Sequence, residues 1–144
     1  MAAARTVARL ALGAMLLFTG VSHLTFARQE FIAQVPKSLP LSDDTVVLAS
    51  GVAELLIGAS LVALPRLRVP VGLGTAVFFV AIFPGNVAQY LNGVDAFGLD
   101  TDGKRFARLF FQPLLVAWAL YSTGAWEWLG GQKDASPTTS GEPR

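Results

Sequence analysis

Four long apolar runs constrain this chain more than any other feature. They occupy residues 7–26, 46–64, 69–91 and 109–129. Each is about as long as the roughly 20 residues a helix needs to cross a bilayer. The chain has 144 residues, so the runs leave room only for short connections. Charged residues make up 15% of it, against about 25% in an ordinary soluble domain, and the runs account for the deficit. The expected fold is all-α: a transmembrane four-helix bundle with antiparallel neighbours, in one domain over residues 1–129. Its helices are expected at about 6–26, 45–64, 69–91 and 108–129. Residues 130–144, rich in Gly, Ser, Thr and Pro, are expected to form a disordered C-terminal tail.

Punctuation along the chain supports these bounds. Arg5 and Arg9 precede an apolar stretch as in a signal peptide, but that stretch, running to Phe26, is too long for an h-region and no clear A-x-A site follows it. It reads as an uncleaved first helix. Pro36 and Pro40 break any helix over 27–44, where Phe31, Ile32 and Val35 suit an interface. Ser42 and Asp43 suit the cap of the second helix. Pro65 stops that helix, and the turn 65–68 is so short that the second and third helices must be antiparallel. Pro70 suits the first turn of the third helix. Pro84-Gly85 is expected to bend it, and such breaks line cavities in transporters. Residues 92–104 read as a polar loop. Its Asp95, Asp100 and Asp102 lack the terminal glutamate of a calcium loop and read as solvated turn residues. Pro113 either kinks the fourth helix or places its true start near Gln112. Tyr121, Trp126 and Trp128 suit an interfacial belt, and Trp118 suits packing.

Several function classes are excluded. The chain has no cysteine, which removes thiolate catalysis, disulfide exchange, iron–sulfur clusters and covalent c-type haem. The net charge is +1 with no basic stripe, so no nucleic-acid partner is expected. One histidine and one intramembrane glutamate fall short of a zinc site, so no metal ligands are assigned.

Glu54 is the only ionisable residue inside the run 46–64. A carboxylate in a span needs a partner or water and marks a candidate site. Alternating helices place it roughly 13 Å from the outer end of its helix. His23, Asn86, Gln89, Arg108 and Gln112 fall in the same half of the bundle. Residues three or four apart share a face, which groups Thr19 with His23, Ser50 with Glu54 and Gly58, Asn86 with Gln89 and Tyr90, and Arg105 with Arg108 and Gln112. Lipid-facing polar groups would go unsatisfied, so these stripes are expected to meet in one pocket. Its candidate residues are His23, Ser50, Glu54, Asn86, Gln89, Arg108 and Gln112. Arg108 is the expected counter-ion of Glu54, directly or through Gln112; otherwise Glu54 takes up a proton. Gly51, Gly58, Gly72 and Gly74 are expected to let helices approach closely. His23 is read either as a structural hydrogen-bonding residue or as a donor to a quinone carbonyl. Glu54 is read either as structural glue or as a ligand- or proton-binding group.

The termini share a side with Arg5, Arg9, Arg66, Arg68 and Lys133. The other side holds Arg28, Lys37, Lys104, Arg105 and Arg108. The tight Arg66/Arg68 turn and the N-terminal arginines favour cytoplasmic termini under the positive-inside rule.

In order along residues 8–125 stand Gly20-Val21-Ser22-His23, Pro36-Lys37-Ser38-Leu39-Pro40, Ser50-Gly51-Val52-Ala53-Glu54, Pro65-Arg66, Phe83-Pro84-Gly85-Asn86, and Arg108 with Gln112. This ordered set resembles a branch of the DoxX-like family of small four-helix bacterial membrane proteins. Leu24, Gly85 and Phe111 depart from the pattern without removing a polar group. The resemblance implies a multi-pass protein of the bacterial cytoplasmic membrane. Some relatives look like membrane subunits tied to quinone-linked sulfur oxidation or oxidative-stress complexes; others resemble chaperones of receptor assembly. The expectation is a non-catalytic accessory or scaffold, or a binder of a lipid or quinone headgroup. The alternative is a membrane subunit of a quinone-linked oxidoreductase. No catalytic residue is assigned on this chain alone. Quinone is the one cofactor considered, non-covalently held. The expected partners are membrane lipids, another membrane or redox protein, or a second copy of the chain.

Overall fold

In the computed structural model, residues 2–133 are described. They form α1 (Ala2–Leu24), α2 (Arg28–Ile32), α3 (Asp43–Ala63), a 3-10 turn (Pro65–Leu67), α4 (Arg68–Leu91), α5 (Asp102–Thr123) and α6 (Ala125–Lys133). The described residues are helical apart from connections and one isolated bridge between Ala96 and Leu99. Three segments are long and apolar enough to cross a membrane: Ala2–Leu24, Asp43–Ala63 and Pro65–Leu91. α5 is not among them. Its first two turns carry Asp102, Lys104, Arg105 and Arg108.

Glycines decide how α1 and α3 meet. A Cβ on Gly58 would stand 2.8 Å from the carbonyl oxygen of Gly13, and one on Gly20 would stand 3.0 Å from that of Gly51. Backbone therefore lies against backbone along two antiparallel helices, the close approach that small residues permit. α4 and α5 pair through Gly72, whose Cβ would overlap the Thr123 side chain. Gly74, expected to share this role, has nothing within 4 Å. Between the two pairs lies a core of Leu12, Leu16, Leu61, Ala76, Phe79 and Ala119. Trp118 donates from Nε1 to the Ala8 carbonyl at 2.9 Å, tying α5 to α1.

The surface is inverted relative to a water-soluble protein. Leu56, Val77, Val80, Phe111 and Leu114 are all at least 60% exposed, while Arg9, His23, Glu54, Asn86, Arg105 and Gln112 are at most 7% exposed. A helix that is apolar on its outward face suits a hydrocarbon surrounding.

Local chemistry explains where the elements differ from expectation. Ser42 caps α3 as expected, its Oγ accepting from the Thr45 amide at 3.2 Å. α1 starts at Ala2 and ends at Leu24, two residues early, where the Ser22 carbonyl accepts from Ala27 instead. α5 starts at Asp102, not near residue 108, because Thr101 accepts from the Lys104 amide at 3.3 Å and caps it. Residues 102–107 are helix rather than loop, and Pro113 lies inside α5 without ending it. Gly124, at φ 76°, ends α5 and opens α6; the expected single helix 108–129 is therefore two. Residues 130–133 continue α6, where the expected tail begins. Residues 134–144, the rest of that tail, lie outside the described residues.

The segment 25–42 and the loop 92–101 close one end of the molecule. Glu30 Oε2 accepts from the Phe97 amide at 2.8 Å, Phe31 meets Phe97 edge-on at 4.7 Å, and Gln34 Nε2 donates to Gln89 Oε1 at 2.6 Å.

Candidate functional site

Beneath that closure lies a cavity of about 870 Å³. Most of its wall is apolar and comes from α1, α3 and α4, with Phe31 and Phe97 from the covering segments. Its polar groups form two clusters.

The first joins α1 and α3. His23 Nδ1 lies 3.0 Å from Glu54 Oε2 and 2.9 Å from the carbonyl oxygen of Thr19 one turn earlier. A carbonyl can only accept, so the Thr19 contact calls for a proton on Nδ1 directed at that oxygen. Glu54 Oε2 lies close to the same nitrogen but has no hydrogen-bond partner among the described residues. The close α1–α3 contact makes the pair: a Cβ on Gly51 would lie 2.8 Å from His23 Cβ. Phe31 stacks on the imidazole, centroids 3.4 Å apart and planes 15° apart. That stack holds the ring and covers one of its faces.

The second joins α4 and α5. Arg108 Nε donates to Asn86 Oδ1 at 3.2 Å. Asn86 Nδ2 donates to Gln112 Oε1 at 2.9 Å, and Gln112 Nε2 donates to the Phe79 carbonyl. Each amide accepts at oxygen and donates at nitrogen, so the chain runs one way and satisfies both side chains. Pro113 leaves α5 helical here, and Arg108 and Gln112, four apart, share the face that meets Asn86. The Arg108 guanidinium lies 5.7 Å from the Phe97 ring centroid. Its terminal nitrogens make no hydrogen bond among the described residues, and Arg108 is one of the residues that line the cavity.

Six of the seven expected site residues line this space: His23, Ser50, Glu54, Asn86, Arg108 and Gln112. Gln89 does not. It is 1% exposed and its Nε2 donates to the Val94 and Ala96 carbonyls at 3.2 and 3.4 Å. It shares a face with Asn86 but stands almost a turn nearer the end of α4 at Leu91, where the loop 92–101 covers it. The expected Arg108–Glu54 pairing is also absent: Glu54 meets His23, and Arg108 meets Asn86. Phe31, Ile32 and Val35 were expected at an interface. Phe31 and Val35 instead line the cavity, and Val35 is 7% exposed. Arg105, left outside the expected site, is 6% exposed. It donates to the Val94 carbonyl at 3.0 Å and to Asp102 at 2.7 Å, and also pairs with Asp95. It holds the loop rather than the cavity. Phe97 carried no signal in sequence because it reaches the cavity from the loop 92–101, and Phe31 lies in the five-residue α2, too short for spacing to show which way it faces.

Among the described residues no three His, Asp or Glu side chains come together to hold a metal ion. The cavity's donor set is imidazole, amide and guanidinium, which suits hydrogen-bond acceptors on an organic headgroup.

Described residues that are almost wholly helical outside the connections, with three membrane-length apolar segments and an apolar cavity bearing two polar clusters, are compatible with a small membrane protein. The chain belongs to the family described as Domain of unknown function (DUF8561), whose family model matches residues 12–123. That span includes every residue of both polar clusters. No curated protein and no solved structure matches the chain.

Proposed function

We propose that α1, α3, α4 and α5 form one antiparallel transmembrane bundle whose cavity holds the headgroup of a lipid or quinone. In this reading the protein is a non-catalytic accessory or scaffold of the bacterial cytoplasmic membrane, with both termini in the cytoplasm. The ordered motifs shared with the DoxX-like pattern support it, from the Gly20–His23 stretch to Arg108 and Gln112. So does the apolar outward surface of α5, where Phe110, Phe111 and Leu114 are about 60% exposed. A polypeptide with that face in water would be an aggregation hazard.

One observation carries the reading. Two hydrogen-bonding clusters on different helix pairs border a single cavity of about 870 Å³ that is otherwise apolar. Apolar walls with a few placed polar groups are the usual build of a small-molecule site. The free edge of Arg108 would donate to a carbonyl or phosphate oxygen, and His23 would orient a second acceptor. The apolar tail would lie against Phe18, Phe26 and Phe78, which also line the space.

The test is binding of a short-chain ubiquinone analogue to the purified full-length protein, read by quenching of its tryptophans. His23→Ala and Arg108→Gln should each weaken binding about tenfold, the loss of one hydrogen bond to a charged or buried group. Binding unchanged in both variants, with no lipid or quinone extracted from the wild type, would defeat the proposal. The His23–Glu54 contact favours a second reading, a membrane subunit of a quinone-linked oxidoreductase. An imidazole beside a carboxylate can pass a proton to a headgroup, while a partner protein supplies the electrons. Glu54→Gln would then abolish quinone-dependent turnover of the complex while leaving quinone binding intact.

A further inference from the structure

At the opposite end of the molecule, the start of α1, the start of α4 and the end of α5 enclose a second cavity of about 270 Å³. Three arginines line it: Arg5, Arg9 and Arg68. The hydroxyl-bearing residues Thr6, Ser122 and Thr123 line it too. Against these three positive charges stands one carboxylate. Arg5 Nη2 pairs with Glu127, and its guanidinium lies 5.3 Å from the Tyr121 ring centroid. Arg5 Nε is buried without an acceptor. Arg9 is 6% exposed, and its protein acceptor among the described residues is the neutral carbonyl of Leu61. Arg68 makes no ion pair among the described residues.

A guanidinium buried to this degree costs free energy unless an anion or a full set of acceptors meets it. A carbonyl supplies one acceptor and no charge. Among the described residues, Arg9 and Arg68 therefore meet no carboxylate around this concave space. Arginine forks bind phosphate oxygens in pairs; the Thr6, Ser122 and Thr123 hydroxyls already donate to the Ala2 and Ala119 carbonyls, so recognition falls to the guanidiniums. Gly124 borders the cavity in the left-handed conformation, and a Cβ there would lie 4.0 Å from both Arg5 Nη1 and Arg68 Nε.

We infer that Arg5, Arg9 and Arg68 form a phosphate-oxyanion site at the terminal end of the bundle, distinct from the cavity near Glu54. The phosphate comes from an anionic lipid headgroup or from free inorganic phosphate. The two share the recognising chemistry, and a basic pocket between helices at a membrane surface is placed to take either.

The experiment uses the full chain in a zwitterionic detergent. Binding is read as the rise in thermal midpoint when phosphatidylglycerol, phosphatidylcholine or inorganic phosphate is titrated in at fixed ionic strength. Protection by phosphatidylglycerol beyond that by phosphatidylcholine supports the site and assigns it to a lipid headgroup. Protection by inorganic phosphate beyond that by chloride supports it and assigns it to a free anion. Arg68→Gln removes an exposed side chain and should leave folding intact while weakening the protective ligand about tenfold, the loss of a charge-assisted pair. Arg9→Gln should weaken it at least as much. Arg66→Gln, an equally exposed arginine outside the cavity, should leave affinity unchanged. No protection by either phosphate probe overturns the inference. So does an Arg66→Gln loss equal to that of Arg68→Gln, since a diffuse surface field would then explain the binding.

Discussion

Gly51→Ala tests whether the α1–α3 contact builds the His23–Glu54 pair. The new methyl would lie 2.8 Å from His23 Cβ, 3.1 Å from Leu24 Cδ2 and 3.2 Å from the Gly20 carbonyl oxygen. Carbon atoms rest at about 3.5–4.0 Å, so the methyl overlaps His23 Cβ (2.8 Å away) by about 0.7–1.2 Å. Phe31, stacked on the imidazole at 3.4 Å, blocks movement of His23 toward that face. Relief must come from separating α1 and α3, which opens the Gly20–Gly51 approach and stretches the 3.0 Å contact of His23 with Glu54. Overpacking of this kind costs about 1–3 kcal/mol. Gly74→Ala is the control, since nothing lies within 4 Å of its Cβ. Both substitutions gain the same helix propensity, up to about 1 kcal/mol, so their difference isolates the clash. Reversible unfolding in bicelles should place Gly51→Ala about 1–3 kcal/mol below Gly74→Ala. The histidine side-chain resonances should shift in Gly51→Ala alone. Equal stability of the two variants, with an unmoved histidine signal, would refute the argument.

Two further outcomes follow from other contacts. Gln112→Leu removes the acceptor of Asn86 Nδ2 and the donor to the Phe79 carbonyl. A buried group left unpaired costs about 1–3 kcal/mol, so unfolding in bicelles should show a loss of that size; a change under about 0.5 kcal/mol would mean the amides find other partners, as intramembrane polar groups can. The Lys104 ammonium, hydrogen-bonded to the exposed Asp100, holds that carboxyl below its ordinary value of 3.8. Its contribution to loop stability is therefore present above the unfolded value and fades as pH falls through the lower folded one. A carbon-detected titration should find the Asp100 midpoint below that of an unfolded aspartate, and Lys104→Ala should return it upward.

The long helices were legible because their signal is local. A run of about 20 apolar residues needs no knowledge of its neighbours, and three of the four runs coincide with helices long and apolar enough to cross a membrane. The Ser42 cap is a short-range motif and was equally legible. The fourth helix was misjudged at both ends. Thr101 caps it earlier than its apolar run begins, and Gly124 divides it where the run continues. A capping hydrogen bond and a left-handed glycine outweigh hydropathy at a boundary.

For the site, helical spacing named which residues would turn inward, and six of seven border the cavity. Spacing could not say which of them touch. Glu54 meets His23 rather than Arg108 because two glycines bring α1 against α3, a fact of how two surfaces seat. Gln89 shares a face with Asn86 but lies nearer the end of α4, where its own loop takes its hydrogen bonds. Arg9 counted among the N-terminal arginines that favour cytoplasmic termini, and the fold buries it against the carbonyl of Leu61, 52 residues away. Amino-acid order thus determined the number of apolar segments, the buried acid and the polar stripes, because these follow from local chemistry and helical period. The folded arrangement alone decided the pairings and the two cavities, because a contact between helices depends on their separation and rotation, and neither is written in any single stretch of chain.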